Sequence, residues 1–415
     1  MRSSVRVGAL SHVGMRRRNN QDSYVSLVAD GRSSWERYGH LFVVADGMGA
    51  HAAGELASRL AVDLIPHHYH KQNQDRAIDN LHRSMIEANN EIYRRGQANI
   101  EFRNMGTTTS VLAIVPEGAI VAHVGDSRIY LLRGNQFEQL TFDHSLVWEM
   151  QVANRQNHEQ IDLGMIPKNV ITRSLGPNAS VLIDLEGPFP IQVGDRFLLC
   201  SDGLSGQLSD VEMGVLTKLL TPEMAVQAMV DLANLRGGPD NITLIIVEIA
   251  DSGITTQAQS DFTREPIFTR STEFPVVVWI LVAIAALSAI ILLSVEQVVL
   301  ALIALVGGVT ALISGAVQYA VRNQRPKKSL NRYGRAPYRV YKCDADATMV
   351  ERLAGTFHAL QEAIVENDWK EILGDLGKMR QLGQTSADNK DYAKAVQNYC
   401  AAIVKAMKHL RDGNK

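Results

Sequence analysis

The sequence predicts an α+β domain over residues 1–250, followed by two membrane-spanning helices and a small all-helical domain. Three observations indicate this order. Short apolar runs alternate with helical stretches up to residue 250, an almost uncharged apolar stretch occupies 276–320, and apolar residues recur at helical spacing beyond residue 344. With 415 residues, 46% of them hydrophobic, the chain is long enough for two or three folded units.

Within residues 1–250 the apolar runs have the pattern of strands in antiparallel sheets. The predicted strands are LFVVADG, TTTSVLAIV, AIVAHVGDSRIYLLR, RFLLCSDG and ITLIIVEIA. Helices are predicted over 52–65, 75–95 and 222–236. The short turn at 116–118 joins two of the strands, which is typical of an antiparallel hairpin. These features predict a layered α+β domain and not a doubly wound one.

The formal net charge of −2 averages segments of opposite sign. Residues 1–250 hold 22 Lys and Arg against 28 Asp and Glu, whereas 321–342 hold 8 basic residues and no acidic one. This balance argues against nucleic-acid binding through overall charge. The three cysteines, Cys200, Cys343 and Cys400, are too few and too far apart for a disulfide framework, and they indicate a reducing compartment.

The apolar stretch is too long for one membrane crossing. A single helix over its roughly 45 residues would measure about 67 Å, against a hydrocarbon core of about 30 Å. Two spans at 276–295 and 298–320 are therefore predicted, joined at Glu296 and Gln297. The basic segment 321–343 follows, and the positive-inside rule places it in the cytoplasm. A buried hydrophobic hairpin within a soluble domain is the alternative.

We therefore expect a protein of the cell inner (plasma) membrane with both soluble parts in the cytoplasm. No apolar run of about 7–15 residues follows the basic N-terminus, so no cleavable signal peptide is predicted. Residues 251–275 are rich in Ser and Thr and aperiodic, as expected of a linker. Residues 344–415 end in a helix that resembles the second helix of a tetratricopeptide-type repeat, with a plain helical bundle as the alternative.

Aspartates adjoin the ends of four predicted strands, namely Asp46, Asp126, Asp202 and Asp240. Any one of them could be a turn former or a helix cap. Clustered carboxylates repel one another, so the set predicts a hard divalent cation that neutralises them. Oxygen ligands without His or Cys favour Mg²⁺ or Mn²⁺ over Zn²⁺. The arginine run at 16–18, just before Asp22, supplies a cation that could orient a phosphate.

These positions and their neighbours carry a family resemblance over about residues 5–250. The sequence resembles the metal-dependent PPM serine/threonine phosphatases, the protein phosphatase 2C-like family, in its bacterial form. Eight motifs occur in the family's order, at 14–23, 43–51, 106–108, 124–128, 140–145, 171–176, 199–204 and 240–243. Each motif alone is weakly specific, whereas the ordered set is highly specific.

The resemblance implies a four-layer α-β-β-α sandwich with a metal site at one end, between two antiparallel sheets. In that arrangement Asp46 would bridge two metal ions and the carbonyl of Gly47 would bind one of them. Asp202 and Asp240 would bind the other ion, and Asp126 with Asp202 would hold a third. The implied cofactors are two or three Mn²⁺ or Mg²⁺ ions.

The resemblance gives roles to three further residues. Arg17 would bind the substrate phosphate, Asp22 would hold metal-bound water, and Asn241 would lie beside the ligands. The implied reaction is direct attack of metal-activated water on phosphoserine or phosphothreonine, without a phosphoenzyme. Phosphoproteins and a Ser/Thr protein kinase are the expected partners. A membrane-tethered signalling scaffold, with the C-terminal helices as its interaction module, is the alternative function.

Two positions depart from the family pattern. Met48 stands where eukaryotic relatives carry a general-acid His, as in other bacterial members, so the leaving group must be protonated by water or by another group. Ala50 replaces the Gly that usually precedes His51. The segment 146–169 corresponds to the flap near the site, where family members vary.

Overall fold

The computed structural model describes residues 2–50, 52–71, 76–157, 167, 170–256, 288, 333–366 and 373–413. The predicted spans lie outside the described residues apart from residue 288, and so do 257–275 of the linker and 321–332 of the basic segment. Within the described part of the chain, no helix has both the length and the apolar character that a membrane crossing needs. The described residues up to Thr256 and from Tyr333 onward belong to one compact unit.

Two antiparallel sheets form the centre of this unit. The strands of the first sheet lie in the order β1 (Val5–His12), β11 (Ile242–Ile249), β10 (Arg196–Cys200), β7 (Arg128–Arg133), β8 (Gln136–Gln139) and β12 (Arg339–Lys342). The strands of the second lie in the order β2 (Asp22–Leu27), β3 (His40–Met48), β5 (Thr109–Val115), β6 (Gly118–Val124) and β9 (Asp184–Phe189), and β4 (Gly106–Thr107) pairs with β3. The hairpin predicted at 116–118 joins β5 to β6.

The α-helices of the described residues fall into two groups along the chain. The first group is α1 (Arg32–Tyr38), α2 (Ala53–Lys71), α3 (Ala77–Ala98), α4 (Leu146–Asn157), α5 (Asp202–Ser205), α6 (Asp210–Leu219) and α7 (Pro222–Leu235). The second is α8 (Ala347–Glu366), α9 (Leu373–Asp388) and α10 (Tyr392–Gly413). A capping box between Ser209 and Glu212 begins α6, and the Thr221 side chain caps α7 ahead of Pro222.

Side chains along each strand alternate between two apolar cores because successive residues point to opposite faces of a sheet. In β3, Phe42 belongs to the core that both sheets share, and Val43 belongs to the core with α2 and α3. In β10, Phe197 faces the shared core and Leu198 faces α6 and α7. The layers are therefore helices, sheet, sheet, helices. The predicted α+β class, with two antiparallel sheets flanked by helices, is confirmed.

The C-terminal helices α8 to α10 pack on the same core as α6 and α7. Phe357 and Tyr399 are buried in this core with their ring centroids 6.2 Å apart. Arg411 of α10 donates a hydrogen bond to the buried carboxylate of Asp231 in α7. The sequence-based boundaries treat 344–415 as a unit of its own. In the structure the apolar face of these helices is buried against the N-terminal domain.

Residues 333–343, here called the strap, connect to α8 along the surface of the N-terminal domain. In the strap, β12 pairs with the edge strand β8, and Arg339 lies opposite Gln139. Tyr333 exchanges two backbone hydrogen bonds with Gly187. The sequence assigns these residues to a basic juxtamembrane segment, whereas in the structure Arg339–Lys342 join the first sheet and Tyr333 bridges to β9 of the second. A strand of four residues is too short to show the alternation of apolar and polar residues that predicts a strand. The prediction for this segment therefore rested on its basic residues.

Candidate active site

Five aspartates lie together where several strands end. Asp22 begins β2 and stands opposite Asp46, near the end of β3. Asp126 follows β6, Asp202 directly follows the loop after β10, and Asp240 precedes β11. Each of their carboxylate charges acts on at least one of the others. The structure therefore brings together all five aspartates that the sequence singled out.

The carboxylate of Asp22 is buried, and a residue that follows a strand of the other sheet is hydrogen-bonded to it. Its Oδ2 atom accepts a hydrogen bond of 2.8 Å from Ser201 Oγ, and its Oδ1 atom has no hydrogen-bond partner. Burial raises the pKa of Asp22 to about 7, although the hydrogen bonds from Ser201 and Thr243 oppose this shift. The negative charges of Asp202 and Asp240 raise the pKa further.

Burial and neighbouring negative charges raise the pKa of three other carboxylates as well. Burial, followed by the charges of Asp22, Asp202 and Asp126, raises the pKa of Asp46 well above its ordinary value. Burial and the charge of Asp202 raise the pKa of Asp126 to about 7. Burial and the charge of Asp240 also raise the pKa of Asp202. Carboxylates packed in this way are stabilised either by protons or by a cation.

The chemistry of these donors fits a divalent cation that prefers oxygen ligands. All the side chains are carboxylates, and the buried Oδ1 atoms of Asp22, Asp126 and Asp202 lack hydrogen-bond partners. Among the described residues, no three Asp, Glu, His or Cys side chains surround one point closely enough to hold an ion as they are placed here. The oxygen donors thus fit Mg²⁺ or Mn²⁺, but as they are placed here they do not yet surround an ion.

Arg17 compensates part of the carboxylate charge in this arrangement. Its Nη2 atom donates a hydrogen bond of 2.8 Å to Asp240 Oδ2, and its charge lowers the pKa of Asp202. Half of the Arg17 side chain is exposed, whereas Arg16 and Arg18 beside it are exposed and lie outside this contact. Arg17 therefore stands between the carboxylates and solvent, where it could bind an incoming phosphate.

Asn241 fixes the loop that carries Arg17. Its Oδ1 atom accepts a hydrogen bond of 2.8 Å from the amide of Gln21. Its Nδ2 atom donates to the carbonyl oxygens of Val13 and Asn19, at 2.9 and 3.0 Å. One amide side chain thus ties both ends of the loop to the start of β11, which agrees with the supporting position expected for it.

Two glycines allow the backbone segments of the site to approach closely. Gly14 has a φ of +81°, and a Cβ atom there would lie 2.1 Å from the carbonyl oxygen of Asp240. A Cβ atom on Gly47 would lie 2.0 Å from the carbonyl oxygen of Gly54. A larger residue at either position would push the loop carrying Asp240 or the end of β3 away from the site.

Several hydroxyl groups that support the carboxylates were not identified from the sequence. Thr108 Oγ1 accepts a hydrogen bond of 3.1 Å from the amide of Asp46 and lies 2.7 Å from Ser127 Oγ. The amide of Ser201 donates to the Thr243 carbonyl at 2.9 Å, and the amide of Thr243 donates to Ser201 Oγ at 3.0 Å. Thr108, Ser201 and Thr243 each lie within a family motif, which is a weak signal. The roles of Ser201 and Thr243 depend on strand register, which the local sequence does not contain.

His144 holds the turn that carries Asp126. Its Nδ1 atom accepts a hydrogen bond of 2.9 Å from the amide of Gly125, and its own amide donates to the Gly125 carbonyl at 2.7 Å. Because Nδ1 accepts, Nε2 carries the proton and donates to Asp184 at 2.9 Å. Burial opposes ionisation of Asp184, but His144 and Arg173 outweigh it and lower the pKa of Asp184 to about 2.

Four other features singled out from the sequence are Met48, His51, the flap and Cys200. Met48 is the last residue of β3. His51 and the flap residues 158–166 and 168–169 lie outside the described residues, whereas the first part of the flap forms α4. Cys200 is fully buried, and burial raises the pKa of its thiol to about 12, so it is unsuited to act as a nucleophile.

An arginine beside buried carboxylates that fit divalent cations is typical of enzymes that act on phosphate groups. Residues 14–235 match the sequence model of the protein phosphatase 2C family, which is more than half of the chain. The chain therefore belongs to the protein phosphatase 2C family. It is a PPM-type protein serine/threonine phosphatase, which hydrolyses phosphate monoesters.

Three similar proteins show how far the likeness extends. Protein phosphatase PhpP of Streptococcus pneumoniae is 37% identical over 254 residues, which are 59% of this chain and 97% of PhpP. The solved serine/threonine phosphatase of S. agalactiae is 34% identical with a TM-score of 0.50, over 59% of this chain and 99% of that one. The catalytic domain of PstP, solved with 2 manganese ions, is 29% identical with a TM-score of 0.49, over 60% and 99%. The family match ends at residue 235, so the strap and the C-terminal helices lie outside it.

Proposed function

We propose that this chain is a membrane-anchored phosphatase that removes phosphate from phosphoserine and phosphothreonine of cytoplasmic proteins, and so opposes a Ser/Thr protein kinase. The observation that carries the reaction is the cluster of five aspartates beside Arg17. The pKa is raised for four of them, namely Asp22, Asp46, Asp126 and Asp202. Together with the unpartnered Oδ1 atoms of Asp22, Asp126 and Asp202, this is a reason to expect cations at this place. Two or three Mn²⁺ or Mg²⁺ ions are proposed, since the donors are oxygens only.

The proposed ligands are those that the family resemblance implies, and the clustering of the aspartates supports them. Asp46 would bridge two ions, the Gly47 carbonyl would complete one site, and Asp202 with Asp240 would complete the other. Asp126, together with Asp202, would hold a third ion. Bound ions of this kind activate water for attack on phosphorus and neutralise the charge of the phosphate.

The remaining chemistry belongs to side chains of the chain itself. Arg17 would exchange its hydrogen bond with Asp240 for hydrogen bonds to the substrate phosphate, because a guanidinium group binds a phosphate in two-pronged fashion. Asp22 Oδ1, which has no partner, would accept a hydrogen bond from the attacking water. Ser201 holds the other oxygen of Asp22 and so fixes the direction of this acceptor.

The test is hydrolysis of a phosphothreonine peptide by the purified full chain with Mn²⁺. We expect turnover that EDTA removes and that Asp46→Asn or Asp202→Asn abolishes. Asp63→Asn is the matched control, because Asp63 is exposed on α2 and the change in charge is the same. Full activity of both site variants would contradict the ligand assignment, and an inactive wild-type chain would contradict the proposed reaction.

The proposed membrane anchor is supported by the points at which the chain leaves and re-enters the compact unit. Thr256 hydrogen-bonds to the backbone of Ile191, and Tyr333 pairs with Gly187, only four residues away. The two residues that flank 257–332 are therefore bound to neighbouring points of the same domain. This agrees with a two-pass hairpin, whose two ends lie on the same side of a membrane, whereas an odd number of crossings would place them on opposite sides.

Topology reporters test the anchor. A green fluorescent protein fused to the C-terminus should fluoresce, and alkaline phosphatase fused at the same place should be inactive, because both soluble parts are proposed to face the cytoplasm. The chain should also sediment with membranes, whereas a variant lacking residues 276–320 should not. An active alkaline phosphatase fusion, or a wild-type chain that stays in the supernatant, would contradict the anchor.

A further inference from the structure

The strap is clamped by one buried carboxylate. Glu186 of β9 is only 2% exposed, and its two oxygens accept hydrogen bonds from the strap. The amides of Arg335 and Ala336 donate at 3.1 and 2.9 Å, and the hydroxyl of Tyr338 donates at 2.6 Å. Gly334 packs so closely on this carboxylate that a Cβ atom would lie 1.8 Å from Glu186 Oε2. The course of the strap over the domain is therefore specified by defined contacts.

Arg339 extends from the strap to the first turns of α4. Its guanidinium group lies 3.6 Å from the centroid of the Trp148 ring, which is the geometry of a cation–π contact. Its Nη2 atom also donates to Gln151 Oε1 at 3.0 Å. Trp148 and Gln151 are three residues apart and share one face of the helix. One arginine thus holds two adjacent points of α4.

Helix α4 is in turn joined to the carboxylate cluster. The helix begins two residues after His144, which exchanges two hydrogen bonds with Gly125, the neighbour of Asp126. Trp148 also packs edge-on against Phe142, with ring centroids 5.6 Å apart. A continuous series of contacts therefore runs from the strap through α4 to the turn that carries Asp126.

We propose that the strap positions α4 and, through it, the Asp126 turn, so that Arg339 is a positioning residue for the active site of this phosphatase. The proposal rests on the proposed role of Asp126 as a metal ligand. It adds a part of the chain that lies beyond the family match to the working parts of the enzyme. The strap touches none of the five aspartates through a hydrogen bond described here, so its action is indirect.

Two measurements on the purified full chain test this proposal. The first is hydrogen exchange of the backbone amides of α4 without metal. Arg339→Ala should speed exchange there by about tenfold, since both a cation–π contact and a hydrogen bond are lost. The second is Mn²⁺ binding followed by electron paramagnetic resonance. Arg339→Ala should weaken the most weakly bound ion about tenfold, at the lower end of the range for residues that support metal ligands.

Conservative and matched variants separate positioning from general loss of structure. Arg339→Lys keeps the charge over the Trp148 ring and should restore part of both effects, although Lys does not reproduce the planar contact. Gln151→Ala removes the hydrogen bond from the other side and should speed exchange of α4 less than Arg339→Ala does. Lys342→Ala is the control, because Lys342 is exposed on the same strand and the change in charge is identical.

The outcomes are distinguishable. Faster exchange of α4 together with weaker Mn²⁺ binding in Arg339→Ala, absent in Lys342→Ala, supports the proposal. Unchanged exchange of α4 overturns it, and so does faster exchange with unchanged Mn²⁺ binding, because α4 would then be uncoupled from Asp126. A wild-type chain that binds Mn²⁺ but hydrolyses no phosphopeptide would contradict the proposed function. Hydrogen exchange and Mn²⁺ binding would still test the role of the strap in that case.

Discussion

Asp22 and Asp46 stand directly opposite each other in the paired strands β2 and β3. Residues opposite one another in an antiparallel pair point to the same face of the sheet, so the register alone brings the two carboxylates together. Like charges in this position are unfavourable, and here Asp22 is buried and Asp46 is half-buried. The metal-free chain therefore carries an internal repulsion at the site, and this repulsion can be measured.

Asp22→Asn should stabilise the metal-free chain at pH 8 by about 2 kcal/mol, because a shift of one pKa unit corresponds to about 1.4 kcal/mol and relaxation reduces the total. The pKa of Asp22 is raised in the folded state, so its favourable contribution is present at low pH and is lost as the pH rises through about 7. The gain should therefore grow between about pH 4 and pH 7. Urea unfolding in EDTA at pH 5 and pH 8 measures it.

The same variant should hydrolyse phosphopeptide more slowly, since Asn at this position cannot offer a carboxylate to water. Asp63→Asn, on the exposed surface of α2, should change neither stability nor rate. A less stable Asp22→Asn chain at pH 8 would mean that the repulsion is already relieved in the metal-free protein.

Much of the site could be predicted because its aspartates follow local patterns. Asp46, Asp126, Asp202 and Asp240 each adjoin an apolar run, and strands that belong to facing sheets end at the same place. Ser201 is different, since its contact with Asp22 joins residues that are 179 positions apart and depends on the packing of two sheets. Only tertiary structure contains that information.

The C-terminal region also combines features that the local sequence predicts with features that depend on tertiary structure. The spacing of Met349, Leu353 and Phe357 predicted a helix correctly, because helical periodicity is local. It could not predict the surface against which the apolar face packs. The prediction for the strap used its charge alone. Its position is determined by Glu186 and the edge of β8, which lie far away in the sequence.

Arg17→Ala should lower kcat/KM for a phosphothreonine peptide by about 100-fold, mainly through a higher KM, because charge-assisted hydrogen bonds to phosphate are lost. Arg17→Lys should recover part of this loss, since the charge remains but the two-pronged geometry does not. Stability should change by less than about 0.5 kcal/mol, because the side chain is half exposed. Steady-state kinetics and urea unfolding check both expectations.

Arg16→Ala is the control for this prediction, since it removes an equal charge from the neighbouring exposed position. An equal loss of kcat/KM in both variants would show that the loop attracts substrate by general charge. In that case Arg17 would have no special role at the phosphate.

Gly14→Ala should disturb the site more than a change at an otherwise similar glycine. Gly14 has a φ of +81° and a Cβ there would lie 2.1 Å from the Asp240 carbonyl, so the substitution adds a clash to the backbone strain. Gly134 has a φ of +59° with open space around it. We expect a loss of about 1 kcal/mol in stability for Gly134→Ala with normal activity. Gly14→Ala should lose more stability than Gly134→Ala and should also weaken Mn²⁺ binding, as measured by titration. Equal effects of the two substitutions would argue against the close contact between Gly14 and the Asp240 carbonyl.

Arg411 and Asp231 form the buried ion pair that joins α10 to α7, and its loss should be costly. Asp231 is fully buried, and Arg411 donates to it from the C-terminal helix. Arg411→Ala would leave a buried carboxylate without its counter-charge and with only the hydrogen bond from Gln227, so stability should fall by about 3 kcal/mol at pH 8. Burial raises the pKa of Asp231 and Arg411 lowers it, so the pKa should rise further in the variant. The loss should then be smaller at pH 5, where the carboxyl group can take up a proton.

Lys405→Ala on the same helix is the matched control for this prediction, because its partner Asp375 is exposed and such a surface pair contributes little to stability. Urea unfolding of both variants at pH 5 and pH 8 gives the comparison. Equal small losses would mean that the C-terminal helices are held on α7 by apolar packing alone. A large loss in Arg411→Ala with its expected pH dependence would show that the ion pair couples the helices to the phosphatase domain.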